Sequence, residues 1–172
     1  INVEAMSREV LEAGIDWQWE SFGEFMDATL GRGSAINLGF LVPLSPLRTY
    51  ALGEAASERA ATAAETDTLC GLLGDALSAG ALGFSSSQQP NHVGYNGTPL
   101  ASRLTSNDEF AAYARTVGKQ GRGGIEIAVT KKLAHLQDED VALLELLCEQ
   151  SGRPVTWLTL LDLNSSPGCA FA

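Results

Sequence analysis

The stretch Thr62–Ser87, reading TAAETDTLCGLLGDALSAGALGFSSS, decides the fold. Thr62 and Glu65 stand at capping-box spacing, where each side chain satisfies a backbone N–H that the first helical turn leaves unpaired. Leu69, Leu72, Leu73, Ala76 and Leu77 then fall on one helical stripe, and Gly80 stands where a helix C-terminus needs a permissive residue. Ala81 to Ser86 follows as a short apolar strand. A capped amphipathic helix running straight into such a strand is one unit of a β/α repeat.

Outward from this unit the same rhythm recurs. Upstream, Ala35 to Pro43 is an almost unbroken apolar run, predicted as a strand buried on both faces, followed by a loop from Leu44 to Arg59. Downstream, a long loop from Ser87 to Thr105 is rich in Gly, Pro, Asn and Ser, and loops of that length in a domain are functional or disordered. Ser106 and Glu109 form another capping box, opening a helix through Phe110, Tyr113, Ala114 and Val117 to Gly121. Gly124 to Thr130 is the next strand. Asp138 caps a helix carrying Val141, Leu144, Leu147 and Cys148, which Gly152 ends, and Val155 to Leu161 is a fourth strand. Two helices lead the chain within residues 1–33: Val3 to Ala13, and one capped by Ser21 and Glu24 that carries Phe22, Phe25, Met26 and Leu30. The β/α units occupy residues 34–172.

Strands alternating with capped helices mean parallel strands joined by right-handed crossovers. The pattern alone leaves a doubly wound sheet and an arc of a barrel both open. No Gly-x-Gly-x-x-Gly follows a strand and no Walker loop occurs, which removes the usual nucleotide-binding reasons for an open sheet.

With 172 residues the chain suits one domain, and 45% hydrophobic residues suit a packed core. A net charge of −10 repels nucleic-acid phosphates and anionic lipid headgroups, so neither is an expected partner; solubility is the plain meaning of the charge. Cys70, Cys148 and Cys169 lack metal or disulfide spacing, and the first two are read as small hydrophobes on apolar helix faces. That usage fits a reducing cytoplasm. No apolar run approaches the roughly 18 residues of a membrane span. A chain opening at Ile1 without an initiator Met suits either processing or an excised fragment.

Three stretches resemble the N-acyl-D-amino-acid deacylase branch of the amidohydrolase superfamily. They are Gly14 to Phe25 (GIDWQWESFGEF), Ala35 to Tyr50 (AINLGFLVPLSPLRTY, with Leu52-Gly53 soon after), and Ala79 to Ser87 (AGALGFSSS), continuing to His92, Gly97, Pro99, Arg103 and Glu109. Arg153-Pro154-Val155-Thr156 adds a shorter match. The resemblance covers nearly the whole chain in family order. It implies an α/β fold that is part of a (β/α)8 TIM barrel, about four parallel strands with intervening helices. It also implies zinc-assisted hydrolysis of an N-acyl-D-amino acid, a small-molecule substrate, with the working groups at the C-terminal ends of the strands.

Against that family the chain departs in one respect. It has only His92 and His135, no His-x-His pair, Leu44 where the family tends to place a His, and Val129-Thr130-Lys131 where D-aminoacylases carry another. A zinc hydrolase takes about three protein ligands, so no metal ligand is assigned to this segment and the zinc is expected on other strands of a longer enzyme.

The substrate-binding candidates are Arg48, Ser85, Ser86, Ser87, His92 and Arg103. Arg48 follows an apolar strand and suits a carboxylate, or else a structural ion pair. The three serines end a strand, where hydroxyls and amides face substrate or simply terminate the element. A serine nucleophile would need a base and an oxyanion hole, and Gly-x-Ser-x-Gly is not present. His92, with Asn91, lies in the long loop and suits a substrate carboxylate, or is an exposed loop residue. His135 beside Asp138 and the Lys131-Lys132 pair read as solvated, the tryptophans as packing residues, and Asp162 as a candidate by position alone. No residue is assigned as catalytic. The competing expectation is a non-catalytic half-barrel serving folding or self-association, a homodimer formed through exposed barrel edges.

Overall fold

A computed structural model describes residues 8–94, 97–132, 135–158 and 164. The elements run α1 (Arg8–Gly14), α2 (Phe22–Gly31), β1 (Val42–Pro43), α3 (Leu44–Leu52), a 3-10 turn at Gly53–Ser57, α4 (Ala63–Ala79), β2 (Gly83–Ser87), a second 3-10 turn at Ala101–Leu104, α5 (Asn107–Lys119), β3 (Gly124–Ala128), α6 (Asp138–Ser151) and β4 (Val155–Leu158). Beyond Leu158, the end of the predicted fourth strand and Asp162 lie outside the described residues, as do Cys169 and the start of the first predicted helix.

The sheet has the order β1-β2-β3-β4 with every neighbouring pair parallel. Sequential order without reversal carries each crossover the same way, so the helices gather on one face. Leu69, Leu73 and Leu77 of α4, Phe110, Tyr113, Ala114 and Val117 of α5, and Leu143 and Leu147 of α6 join Val42, Phe84, Ile125 and Ile127 in one continuous core. Parallel register fixes which strand residues share that face: Phe84 lies beside Ile125, and Ile125 beside Val155. One step along, Ser85, Glu126 and Thr156 stand side by side and point the other way. Glu126, Thr156 and Leu158 are exposed there. A sheet with one face packed by all its helices and the other bare is an arc of a (β/α)8 barrel, not a doubly wound sheet.

All three predicted capping boxes are formed: Ser21 with Glu24, Thr62 with Glu65, and Ser106 with Glu109. Four expectations need correction. The run Ala35 to Pro43 is a strand only at Val42–Pro43; before that Leu82 N–H donates to Phe40 O at 2.7 Å and Phe40 packs against the core, while Ile36 is 74% exposed. The predicted loop from Leu44 is helix α3, because Pro46 sits in the first turn where its missing N–H has no helical role. Helix α6 is capped from Gln137, whose N–H donates to Asp140 Oδ2 at 3.0 Å, with Asp138 already inside the helix. Its buried stripe is Asp140, Leu143, Leu147 and Ser151, one row over from the predicted Val141, Leu144 and Cys148; Cys148 is exposed. A helix apolar on two adjoining rows does not declare which one faces inward. No helix among the described residues is long and apolar enough to cross a membrane.

Candidate functional site

The C-terminal ends of the strands meet in a ring of polar side chains. Gln88 N–H donates to Ala128 O at 2.7 Å, carrying the β2–β3 ladder one residue past the strand. Its side chain turns inward and donates to Ser102 O at 2.7 Å, while Gln89 Nε2 donates to Thr130 Oγ1 at 3.0 Å. Ser45, in the first turn of α3, accepts from Ser102 N–H at 3.1 Å and donates to Ser102 Oγ at 2.9 Å; Ser102 Oγ in turn donates to Ser87 O at 3.0 Å. Gln88, Gln89, Ser45, Ser102 and Thr130 are all buried. These bonds order the long loop after β2, which the sequence left as functional or disordered. Most buried polar groups are paired, and the pairing here clamps β2, β3, the start of α3 and the loop at one end of the sheet.

Ser87 and His92 come together at this rim. Ser87 Oγ lies 2.8 Å from His92 Nδ1 and accepts the Gln89 N–H at 3.3 Å. His92 is half-buried. Arg103 is in the same loop and donates from Nη1 to Pro90 O at 3.3 Å. Ser85 shares the bare face of the sheet with Ser87 by strand alternation. Ser86 alternates to the helix side, where its Oγ is buried and lacks a partner among the described residues.

Arg48 is placed differently. It is fully buried, its Nε donates to Ala101 O at 3.0 Å, its Nη2 donates to Arg59 O at 3.0 Å, and its Nη1 donates to the Glu109 carboxylate. The guanidinium is consumed by the protein, which is the ion-pair alternative for this residue. Glu109 is the hub: Oε1 accepts from Ala61 N–H and Ser106 N–H, both at 3.0 Å, and Oε2 accepts from Tyr113 OH at 3.1 Å as well as from Arg48. Lys131, by contrast, forms an exposed ion pair with Glu139 at 3.4 Å.

Burial, and next the Glu109 carboxylate, hold the Tyr113 hydroxyl well above the ordinary tyrosine range. Above about pH 10 the unfolded chain releases this proton while the folded chain keeps it, so stability falls as pH rises, by up to about 1.4 kcal/mol per pH unit. Below that pH both states hold the proton and the group contributes no slope. Tyr113→Phe is therefore expected to flatten the alkaline limb of stability against pH, read from urea midpoints at pH 9 to 11. An unchanged slope would remove Tyr113 as its source.

The geometry defines a class: one end of a barrel arc, with polar side chains ringed at the strand C-termini. Among solved structures it matches D-aminoacylase, the protein that defines a novel subset of amidohydrolases, with a TM-score of 0.63 and 20% identity over 90% of this chain. A second D-aminoacylase structure, concerned with a binuclear metal centre activated by one metal and attenuated by the second, gives 0.60 and 23% identity over 78% of this chain. The chain spans 31% and 26% of those two proteins. The likeness read from the three stretches thus holds at the level of the fold. No family model matches the chain, and no curated protein matches it.

No three His, Cys, Asp or Glu side chains among the described residues are grouped to hold an ion.

Proposed function

We propose that this chain is a substrate-facing arc of a metal-dependent amidohydrolase that cleaves the amide of N-acyl-D-amino acids, with zinc ligands supplied by other strands of the ring. The observation that carries the reading is the rim at the end of β2. Ser85 and Ser87 lie on the sheet face away from the helices, His92 is held against Ser87, and Arg103 bonds the following loop at Pro90. Active groups of (β/α)8 enzymes gather at that end. The proposed substrate class is drawn from the likeness to D-aminoacylase. In this reading the arc binds and orients: the Ser85 hydroxyl and the His92 ring meet the oxygens of the acyl-amino acid, Ser87 holds the ring, and Arg48 only stiffens the wall behind them.

The test is an assay of the protein that carries this arc on N-acetyl-D-amino acids and their L-enantiomers. Free D-amino acid is expected, lost on chelation and restored by zinc, with the L-substrates left intact. Hydrolysis that ignores chelation or does not distinguish the enantiomers would overturn the proposal. The exposed Leu158 on the bare face favours a second reading, a non-catalytic half-barrel that self-associates; a metal-free, inactive dimer in sedimentation would support it.

A further inference from the structure

We propose that Ser87 is a positioning residue that fixes the tautomer of His92, leaving Nε2–H as an aimed donor for a carboxylate or carbonyl oxygen of a small molecule. The hydrogen-bond inventory requires this arrangement. Ser87 Oγ already accepts the Gln89 N–H, and Ser87 is only 8% exposed. Were His92 Nδ1 protonated, the hydroxyl would accept twice and its own hydrogen would have no acceptor among the described residues. With Nδ1 unprotonated, Ser87 donates to it across 2.8 Å and every group is satisfied. The proton of the neutral ring then sits on Nε2, which has no partner among the described residues and belongs to a half-buried side chain.

Further bonds hold this aim. His92 N–H donates to Gln89 O at 3.2 Å, and Gln89 is tied by its side chain to Thr130 beyond β3. Ser87 itself is fixed at the end of β2 by its register with Ala128. The same geometry argues against Ser87 as a nucleophile. Its partner nitrogen is Nδ1, and no carboxylate orients the ring from the other side among the described residues. An oxygen acceptor is the chemistry an Nε2–H selects, and acetate is its simplest probe.

The inference rests on the proposed location of the site but not on the hydrolysis, so the two fail separately. Two-bond 1H–15N correlation of the labelled chain at about pH 8.5, above the usual imidazole range, reads the tautomer directly. His135→Gln removes the second histidine from the spectrum. His92 is expected with Nε2 protonated, and acetate is expected to shift Nε2 in a saturable way. Ser87→Ala is expected to admit the second tautomer and to weaken acetate about fivefold, the loss of one ordinary hydrogen bond. Ser87→Thr, which keeps the hydroxyl, restores both. A protonated Nδ1 in the unaltered chain, no response to acetate up to about 100 mM, or equal acetate affinity in the unaltered chain and Ser87→Ala would each overturn the proposal. The first two readings leave Ser87 and His92 unaltered and need only the His135→Gln change for assignment.

Discussion

Glu109→Gln is expected to lower the unfolding free energy by about 3–5 kcal/mol, the usual consequence of leaving a buried charge without its counter-ion. The amide oxygen of Gln still accepts from Ala61 and Ser106, so the capping box and the turn before α4 survive. The amide nitrogen, however, now faces the Arg48 guanidinium where Oε2 stood, and a donor meets a donor. Arg48 is 0% exposed and reaches no water to compensate. Since a domain of this size holds roughly 5–15 kcal/mol in all, the variant should lie close to the edge of folding. Arg48→Met in the same background should recover much of the loss, because the cost comes from the stranded cation and not from the missing pair. Urea unfolding of the two single variants and the double variant measures this directly. Independent, additive losses would show that Arg48 and Glu109 do not act as a unit.

Glu109 also marks where sequence reading stops. Its spacing from Ser106 declares a helix start, and that start is where it was expected. Nothing local declares that the same carboxylate crosses to an arginine 61 residues away. The repeat of capped helix and apolar strand was legible because both signals are written in consecutive residues: a leucine stripe at helical period, a glycine stop, a short run into Ser87. The rim was not legible for the opposite reason. Ser45 and Ser102 are 57 residues apart, Gln89 and Thr130 are 41 apart, and a lone buried Gln or Ser carries no pattern of its own. Only strand register brings them together. His92 was singled out from its place in the loop, but its pairing with Ser87, five residues back, depends on a turn that composition does not specify. The run before Val42 failed for a related reason: apart from the Phe40 carbonyl, its backbone finds no strand partner among the described residues. Strand identity is a property of two segments, and the sequence displays one at a time.

Gly83→Ala is expected to cost upward of about 3 kcal/mol, with strain at a positive φ and backbone overlap acting together. At this first residue of β2 φ is +140°, and an added Cβ would fall 1.7 Å from the carbonyl oxygen of Gly124, its partner at the start of β3. The obstacle is backbone, not a side chain that can swing away. The neighbouring strand start is as tight, since a Cβ on Gly123 would meet the Leu82 carbonyl oxygen at 2.0 Å, and Gly124 N–H donates to that same oxygen at 2.8 Å. Relief therefore requires β2 and β3 to separate at their N-terminal ends. Gly71→Ala supplies the opposite sign: it lies on the exposed side of α4, a Cβ there meets nothing within 4 Å, and the change should add about 0.5–1 kcal/mol. Urea midpoints of the two variants against the parent chain decide the matter, and a Gly83→Ala midpoint equal to the parent's would refute the close approach. The consequence reaches the rim as well. β2 is one rigid ladder from Gly83 to Ser87, so a displaced start should shift Ser87 against Ala128 and broaden the His92 ring signals even in molecules that remain folded.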